Sequence, residues 1–507
     1  MSSTLGRAAL VVSGGILASR VLGFLREMVL AGLLGRTIEA DLYQAAFTIP
    51  DYISFLMAGG YLTITFVPII SRHLAAGDAV GANRSFTAVS RVVGALMLGV
   101  TVATLVAAEP LTERLFPEIP ADRIPELVAL VRIILPAQFF FVLGSLLMAV
   151  QYAHRRFLIP ALAPVIYNVA IIAGGLISWA LGDPGPAGFV WGALTGAIIG
   201  NFALQWWGAR QVGTRLQSDV PILHDAVPEY FALAFPLMIG QSAVALDEVF
   251  VRVFGQLGDT GDIAALAYAR RVNLLPVGVI AQAAGVASYP FLARLFAEGK
   301  VSEVRETVSR TIRASLIVAG IGTAGVVGLA LPIIQIAFQR GQFDPADTAA
   351  TSVLLAIYGL SIPMWAVHQV YTRGFYAQRR MWLPVGVGTA VTVVAIPAYL
   401  VGAATLGAAG VAWASVAVMG LYALAIGWWW HREQPGGEMG ATLGRMLVAT
   451  VPAALAGWLA TRGLMGGEPS STGLAVAALL GGGGLTVAVY WGLLRLLRAP
   501  ELRLLRR

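Results

Sequence analysis

The sequence predicts an all-α, polytopic membrane protein with about fourteen transmembrane helices. These are expected to form two six-helix lobes related by a parallel repeat, followed by two further C-terminal helices. Three observations carry the prediction. Of 507 residues, 58% are hydrophobic and only 12% charged, about half the charge of a soluble domain. The apolar residues gather into runs long enough to cross a bilayer, which takes roughly 20 residues per helix. Finally, YAHRRFLIP at 152–160 recurs as YAQRRMWLP at 376–384, and FVPIISRHLAAGD at 66–78 recurs as SYPFLARLFAEGK at 288–300, at nearly the same offset.

Gly, Pro and charged residues punctuate the apolar runs. They place the first six spans near 8–33, 42–71, 85–108, 127–152, 158–181 and 187–209. The second six fall near 230–254, 263–293, 307–331, 348–375, 382–402 and 408–430, and the last two near 441–462 and 471–496. Span 1 contains SRVLGFLREMVLAGL, with Arg20, Arg26 and Glu27. Span 2, DLYQAAFTIPDYISFLMAGGYLTITFVPII, is interrupted by Pro50, Gly59-Gly60 and Pro68, breaks tolerated where backbone lines a cavity or is buried in protein. Between spans 3 and 4, Glu109, Glu113, Glu118, Asp122 and Glu126 read as a solvated loop on the outer side. The repeated Arg-Arg pairs are short basic turns, with Pro160 and Pro384 near the start of the next helix, where a missing N–H costs little. Span 7 carries Asp247 and Glu248; span 8 carries Tyr268-Ala-Arg270-Arg271 and then Pro276 and Gly278 as helix breakers. The expected organisation is an N-lobe over 1–218, a C-lobe over 219–434, and spans 13–14 with a basic cytoplasmic tail over 435–507.

Most of the 34 Lys and Arg residues fall on one side when both termini are placed in the cytoplasm. The positive-inside rule then accounts for the net charge of +7 without a nucleic-acid partner. Cysteine is absent, which excludes a disulfide framework and thiolate chemistry. The N-terminus runs straight into a span with no A-x-A site and is read as mature sequence. No phosphate-binding G-x-x-x-x-G-K-[ST] loop is present. The five histidines are scattered, without metal-ligand spacing, and no nucleophile or acid cluster marks an enzyme. The expectation is a protein without catalytic residues or a resident metal.

Because the repeats match span n to span n + 6, and six is even, both copies have the same orientation; the repeat axis lies along the membrane normal. In transporters of this construction the substrate path lies between the lobes near the midplane, and rocking of the lobes alternates its access. Ionisable groups within spans cost roughly 2.5–3.5 kcal/mol each and face a cavity or a partner. At 100° per residue Arg20 and Glu27 share nearly one face, with Arg26 about 120° from Arg20. Gly23 allows a local bend that changes this. Two readings stay open. Glu27, Asp247 and Glu248 neutralise Arg20, Arg26 and Arg271 as interhelical ties, or the arginines line an inter-lobe cavity that binds an anion. Guanidinium suits phosphate, because its planar fork donates paired hydrogen bonds and stays charged.

At these residues the chain resembles the MurJ/MviN lipid II flippase family, within the multidrug/oligosaccharidyl-lipid/polysaccharide exporter superfamily. SRVLGFLRE resembles the family's S-R-x-L-G-x-x-R-[DE]; Asp41 opens its D-x-x-x-x-A-F-x-I-P, with FVP at 66–68; YARRVNLLPVG resembles Y-A-x-R-L-x-x-L-P-x-G. FQRGQFDPADT and RGFYAQRR resemble its span 9–10 loop and the end of span 10. The resemblance implies alternating-access flipping of a polyprenyl-diphosphate-linked cell-wall precursor, lipid II, across the bacterial cytoplasmic (inner) membrane. It assigns Arg20, Arg26 and Arg271 to the diphosphate and Asp41 to the outer end of span 2. Spans 13–14 become a groove for the polyprenyl tail, and cell-wall synthesis proteins become partners. Ser54, counted with the substrate-binding residues, stands where the family has a cavity arginine; Phe55 and Gly59 replace a second arginine and a glutamate. Asp247 matches an acid that in some members belongs to a sodium site, but span 11 here offers no amide or carboxylate to complete a site for a monovalent cation. The alternatives are a flippase for another polyprenyl-diphosphate-linked saccharide, a cation-coupled multidrug exporter using Asp247 and Glu248, and a non-transporting membrane scaffold.

Overall fold

The computed structural model describes residues 2–57, 61–221, 224–282, 291–378, 380–433 and 439–506. Their regular secondary structure is helical, with no β-strand among them. Ten helices are long and apolar enough to cross a membrane among the described residues. One of them, Trp382–Glu433, runs for 52 residues and contains two of the expected spans, 11 and 12, divided at Gly407 (φ 55, ψ −135). Only glycine adopts that backbone without strain. Close to the turn, a Cβ on Gly410 would overlap the Gly402 carbonyl, so the two helices meet backbone to backbone. Spans 1 and 7 correspond to Ser2–Leu34 and Ala226–Gly255.

Span 2 is broken once among its described residues, just before Pro50, but Pro68 does not interrupt it as expected: Tyr61–Ala75 runs through that proline. It consists of Ile38–Ala46, Thr48–Leu56 and Tyr61–Ala75, with the break at Phe47. Pro50 sits in the first turn of the middle segment, where no intrahelical partner is lost. Gly59 and Gly60 lie outside the described residues. Span 8 differs from expectation: Asp262–Val277 continues through Pro276, and Gly278 opens a π-helical turn, Gly278–Gln282, instead of ending the helix.

The chain divides into two compact units, Met1–Val249 and Phe250–Arg507. In the first, Leu158–Ala180 packs against span 6, which comprises Ala187–Gly196, a π-helical Ala197–Ala203 and Leu204–Gln211. Gly188, Gly192, Gly196 and Gly200 recur at every fourth position, so they form one face of span 6. A Cβ on Gly192 would overlap the Ala170 carbonyl, and one on Gly196 would stand 2.9 Å from Tyr167 Cα. Small residues at such spacing let helices approach in an environment where apolar burial alone gives no driving force.

In the second unit Val301–Gly328 is the central helix, and Met439–Met465 and Thr472–Leu496 pack on it. Ile312, Leu316, Phe375, Ile426, Met446 and Tyr490 belong to its main buried cluster. The Tyr490 hydroxyl donates to the Ile317 carbonyl at 2.6 Å, which satisfies a phenol that would otherwise be buried at a cost.

The sequence repeat extends to backbone detail. Tyr61–Ala75 is closed by Gly77 (φ 70), with Asp78 N–H donating to His73 O at 2.9 Å. The second copy has Gly299 (φ 73), and Lys300 N–H donates to Leu295 O at 3.0 Å. This is the same left-handed helix ending with a six-to-one hydrogen bond. The Arg-Arg turns agree as well: Arg156 N–H donates to Gln151 O at 2.8 Å and Arg380 N–H to Phe375 O at 3.0 Å.

Candidate functional site

Span 1 places its charges by packing one glycine face. Gly15 abuts Ala161, where a Cβ would stand 2.7 Å from the alanine Cβ, and Gly23 faces the Asn168 amide. Arg20 is exposed. Arg26 is largely buried, its side chain 13% exposed, and its Nη2 donates to Glu27 Oε1 at 2.6 Å; the Glu27 side chain is 3% exposed. Helical geometry alone put Glu27 nearer the Arg20 face, yet the long guanidinium stem reaches round to the neighbouring carboxylate. The observed pair therefore ties two groups of one helix. The Arg26 Nε–H is buried and has no hydrogen-bond partner, leaving the fork a donor for an incoming acceptor.

Asp41 is 4% exposed on Ile38–Ala46, close to the helix N-terminus, where the helix dipole favours a carboxylate. Ser54 is half-buried on Thr48–Leu56. Asp247 and Glu248 are half-buried near the C-terminal end of Ala226–Gly255. These residues belong to the first unit, whereas Arg271 belongs to the second, half-buried on Asp262–Val277. That helix is anchored on either side of Arg271. Tyr268 is fully buried against Phe338 and Phe343, with ring centroids 5.3 and 5.8 Å away, and Asn273 donates to Ser361 Oγ at 3.2 Å.

Sequence reasoning missed several polar groups. Tyr43 and Tyr167 lie within electrostatic reach of Arg26; aromatic residues in apolar spans carry no signal that separates such neighbours from ordinary core. Gln151 donates to Gln205 Oε1 at 3.0 Å within the membrane-spanning helices of the first unit. His73 is held between Asp78 (Nδ1 to Oδ2, 3.0 Å) and Ser85 (Nε2 to Oγ, 3.1 Å). The order serine, histidine, aspartate is that of a nucleophile relay. Ser85 is fully buried, however, so the three groups lock a helix turn. The acidic loop between spans 3 and 4 is partly helical, Ala108–Leu115, and Arg132 reaches Glu109 at 3.5 Å. Among the described residues no group of three metal-ligating side chains occurs.

The described residues thus provide guanidinium and carboxylate groups within the helices of spans 1, 2, 7 and 8. The family model described as "Lipid II flippase MurJ" matches residues 30–468. The chain belongs to the MurJ lipid II flippase family. Among curated relatives, the probable lipid II flippase MurJ of Rhizobium meliloti (strain 1021) is 28% identical over 392 residues, covering 75% of this chain and 73% of the relative. The lipid II flippase MurJ of Burkholderia cenocepacia is 25% identical over 401 residues, covering 76% of each. A solved lipid II flippase MurJ in an inward closed conformation superposes with a TM-score of 0.80 at 19% identity, covering 96% of this chain and 99% of that one. An inward-facing multidrug-resistance MATE transporter superposes less well, with a TM-score of 0.69 at 14% identity over 84% of this chain and 98% of the other. The fold is that of both transporter groups, and the chain is a multi-pass membrane protein.

Proposed function

We propose that this protein is an alternating-access flippase that carries a polyprenyl-diphosphate-linked cell-wall precursor, lipid II, from the cytoplasmic to the outer leaflet of the bacterial inner membrane. The observation that carries the reading is the family match over residues 30–468. Arg20, Arg26 and Arg271 hold the diphosphate, and Asp41 and Ser54 contact the head group. Glu27 keeps the Arg26 fork oriented, and an incoming phosphate takes the donor that Glu27 leaves over. Both termini are cytoplasmic, and no covalent bond is made or broken. The lipid-linked substrate, the bilayer and cell-wall synthesis proteins are its partners.

The test is flipping of lipid II in proteoliposomes by Arg20→Ala, Arg26→Ala and Arg271→Ala. Each is expected to abolish flipping while the protein purifies and melts as the wild type does. Retained flipping in all three would overturn the assignment of the arginines. Drug efflux that survives these changes but is lost in Asp247→Asn and Glu248→Gln would favour the multidrug exporter instead.

A further inference from the structure

Residues 213–221, which follow span 6, belong to the first unit, and a single helix face takes much of their backbone hydrogen bonding. Ala79–Val106 presents Asn83, Thr87 and Arg91 at four-residue intervals, hence in one stripe. Asn83 Nδ2 donates to Gly213 O at 3.3 Å, and its Oδ1 accepts from Arg215 N–H at 3.0 Å. Thr87 Oγ1 accepts from Gln217 N–H at 3.1 Å. Arg91 donates to Val220 O at 2.9 Å and to Gln217 O at 2.7 Å. Arg84 lies 3.7 Å from Asp219. Beyond the segment, Arg72 at the end of span 2 makes two hydrogen bonds, 2.9 and 2.6 Å, to Glu229 in the first turn of Ala226–Gly255. Thr214 and Val220 are buried near its two ends. Connecting loops ordinarily satisfy their backbone with water and move; residues 213–220 are instead bonded to a transmembrane helix.

We propose that residues 213–221, with the Arg72–Glu229 pair beyond them, form a strap fastened to spans 2 and 3 throughout the transport cycle. The cytoplasmic end of span 7 travels with spans 2 and 3, and any rearrangement of the chain during transport starts C-terminal to Glu229. The strap is a fixed anchor, not a slack tether. The transport clause rests on the flippase reading above; the fastening itself does not.

The natural chain has no cysteine, so an introduced pair is unique. The variant Arg72→Cys/Glu229→Cys, closed with a short thiol-to-thiol cross-linker, is expected to flip lipid II within about twofold of the same variant left open. Loss of flipping by tenfold or more on cross-linking alone overturns the proposal, because the strap then has to detach. If the open variant is inactive, amide exchange of the wild type decides. Protection of residues 213–220 is expected to stay within threefold with and without lipid II, and to fall more than tenfold in Arg91→Gln. A tenfold loss of protection on adding lipid II, or no change in Arg91→Gln, overturns it. A wild type that does not flip lipid II at all defeats the flippase reading and leaves the exchange test intact.

Discussion

Glu501 offers a perturbation whose size can be worked from the structure. It lies on the short 3-10 helix Pro500–Arg506 after span 14, and its side chain is fully buried. Its Oε1 accepts from the Thr442 hydroxyl at 2.5 Å, from Arg445 Nη1 at 2.8 Å and from Arg313 Nη2 at 3.4 Å. Removing one partner of a buried ion pair costs about 3–5 kcal/mol. Here the arginine side chains are 26% and 18% exposed and recover some hydration, which places Glu501→Gln below that range, at about 2–3 kcal/mol. The loss falls on docking of the C-terminal segment, so the assay is amide hydrogen exchange of the peptide covering 497–506 in detergent. Exchange should quicken at least about thirtyfold, the equivalent of 2 kcal/mol. Acidification adds a second arm. Burial raises the Glu501 pKa, but the Thr442 hydroxyl, the backbone and the two guanidinium groups outweigh it and hold it below the ordinary carboxylate value. A depressed carboxylate contributes its full stability above the unfolded pKa of about 4.3 and loses it as pH falls through the folded value. Docking should therefore be level between pH 7 and 5 and weaken only below, once exchange is corrected for its intrinsic pH dependence. Unchanged exchange in Glu501→Gln, or weakening already complete at pH 5, would refute the reasoning.

Two further outcomes follow from other parts of the molecule. Gly192→Ala should lower the melting temperature in detergent through about 1–3 kcal/mol of overpacking, since its Cβ would overlap the Ala170 carbonyl and stand 2.8 Å from Ile171 Cα. Gly484→Ala, with nothing within 4 Å of its Cβ, should be neutral or gain up to about 1 kcal/mol of helix propensity; equal behaviour of the two would defeat the close-packing argument. If the bound diphosphate moves net charge through the membrane field, one elementary charge crossing 100 mV is worth about 2.3 kcal/mol. Flipping in potential-clamped proteoliposomes should then respond to the imposed voltage, and a flat response removes the coupling.

The membrane class and the spans were legible because hydropathy is a bulk signal: no lipid-facing backbone can leave its hydrogen bonds unmade, so long apolar runs have few alternatives to helix. The duplication was legible because the turn residues repeat as well as the spans, Gly77 with Gly299 and the paired arginines with one another. Local departures were harder to read. Pro276 was expected to end a helix that continues, because neighbouring helices in a membrane re-satisfy the backbone group that proline frees. The Arg26–Glu27 pair was not foreseen from Cβ directions, which say little about where a guanidinium at the end of a long stem comes to rest. The strap contacts of Asn83, Thr87 and Arg91 could have been suspected from their four-residue spacing, but their partners are backbone carbonyls and amides, which sequence does not distinguish.

The two readings of the intramembrane charges, ties or an anion site, are less opposed than their statement suggests. A guanidinium in a low-dielectric setting needs a counter-charge in the resting protein, or its burial would be prohibitive. It must also keep donors for the substrate, or it could not bind one. Arg26 meets both conditions: one Nη–H is spent on Glu27 and the buried Nε–H has no acceptor. A lysine there would keep the charge and lose the planar fork. Arg26→Lys in the proteoliposome assay therefore separates the two roles. A purely electrostatic tie predicts near wild-type flipping, whereas a diphosphate clamp predicts a loss approaching that of Arg26→Ala.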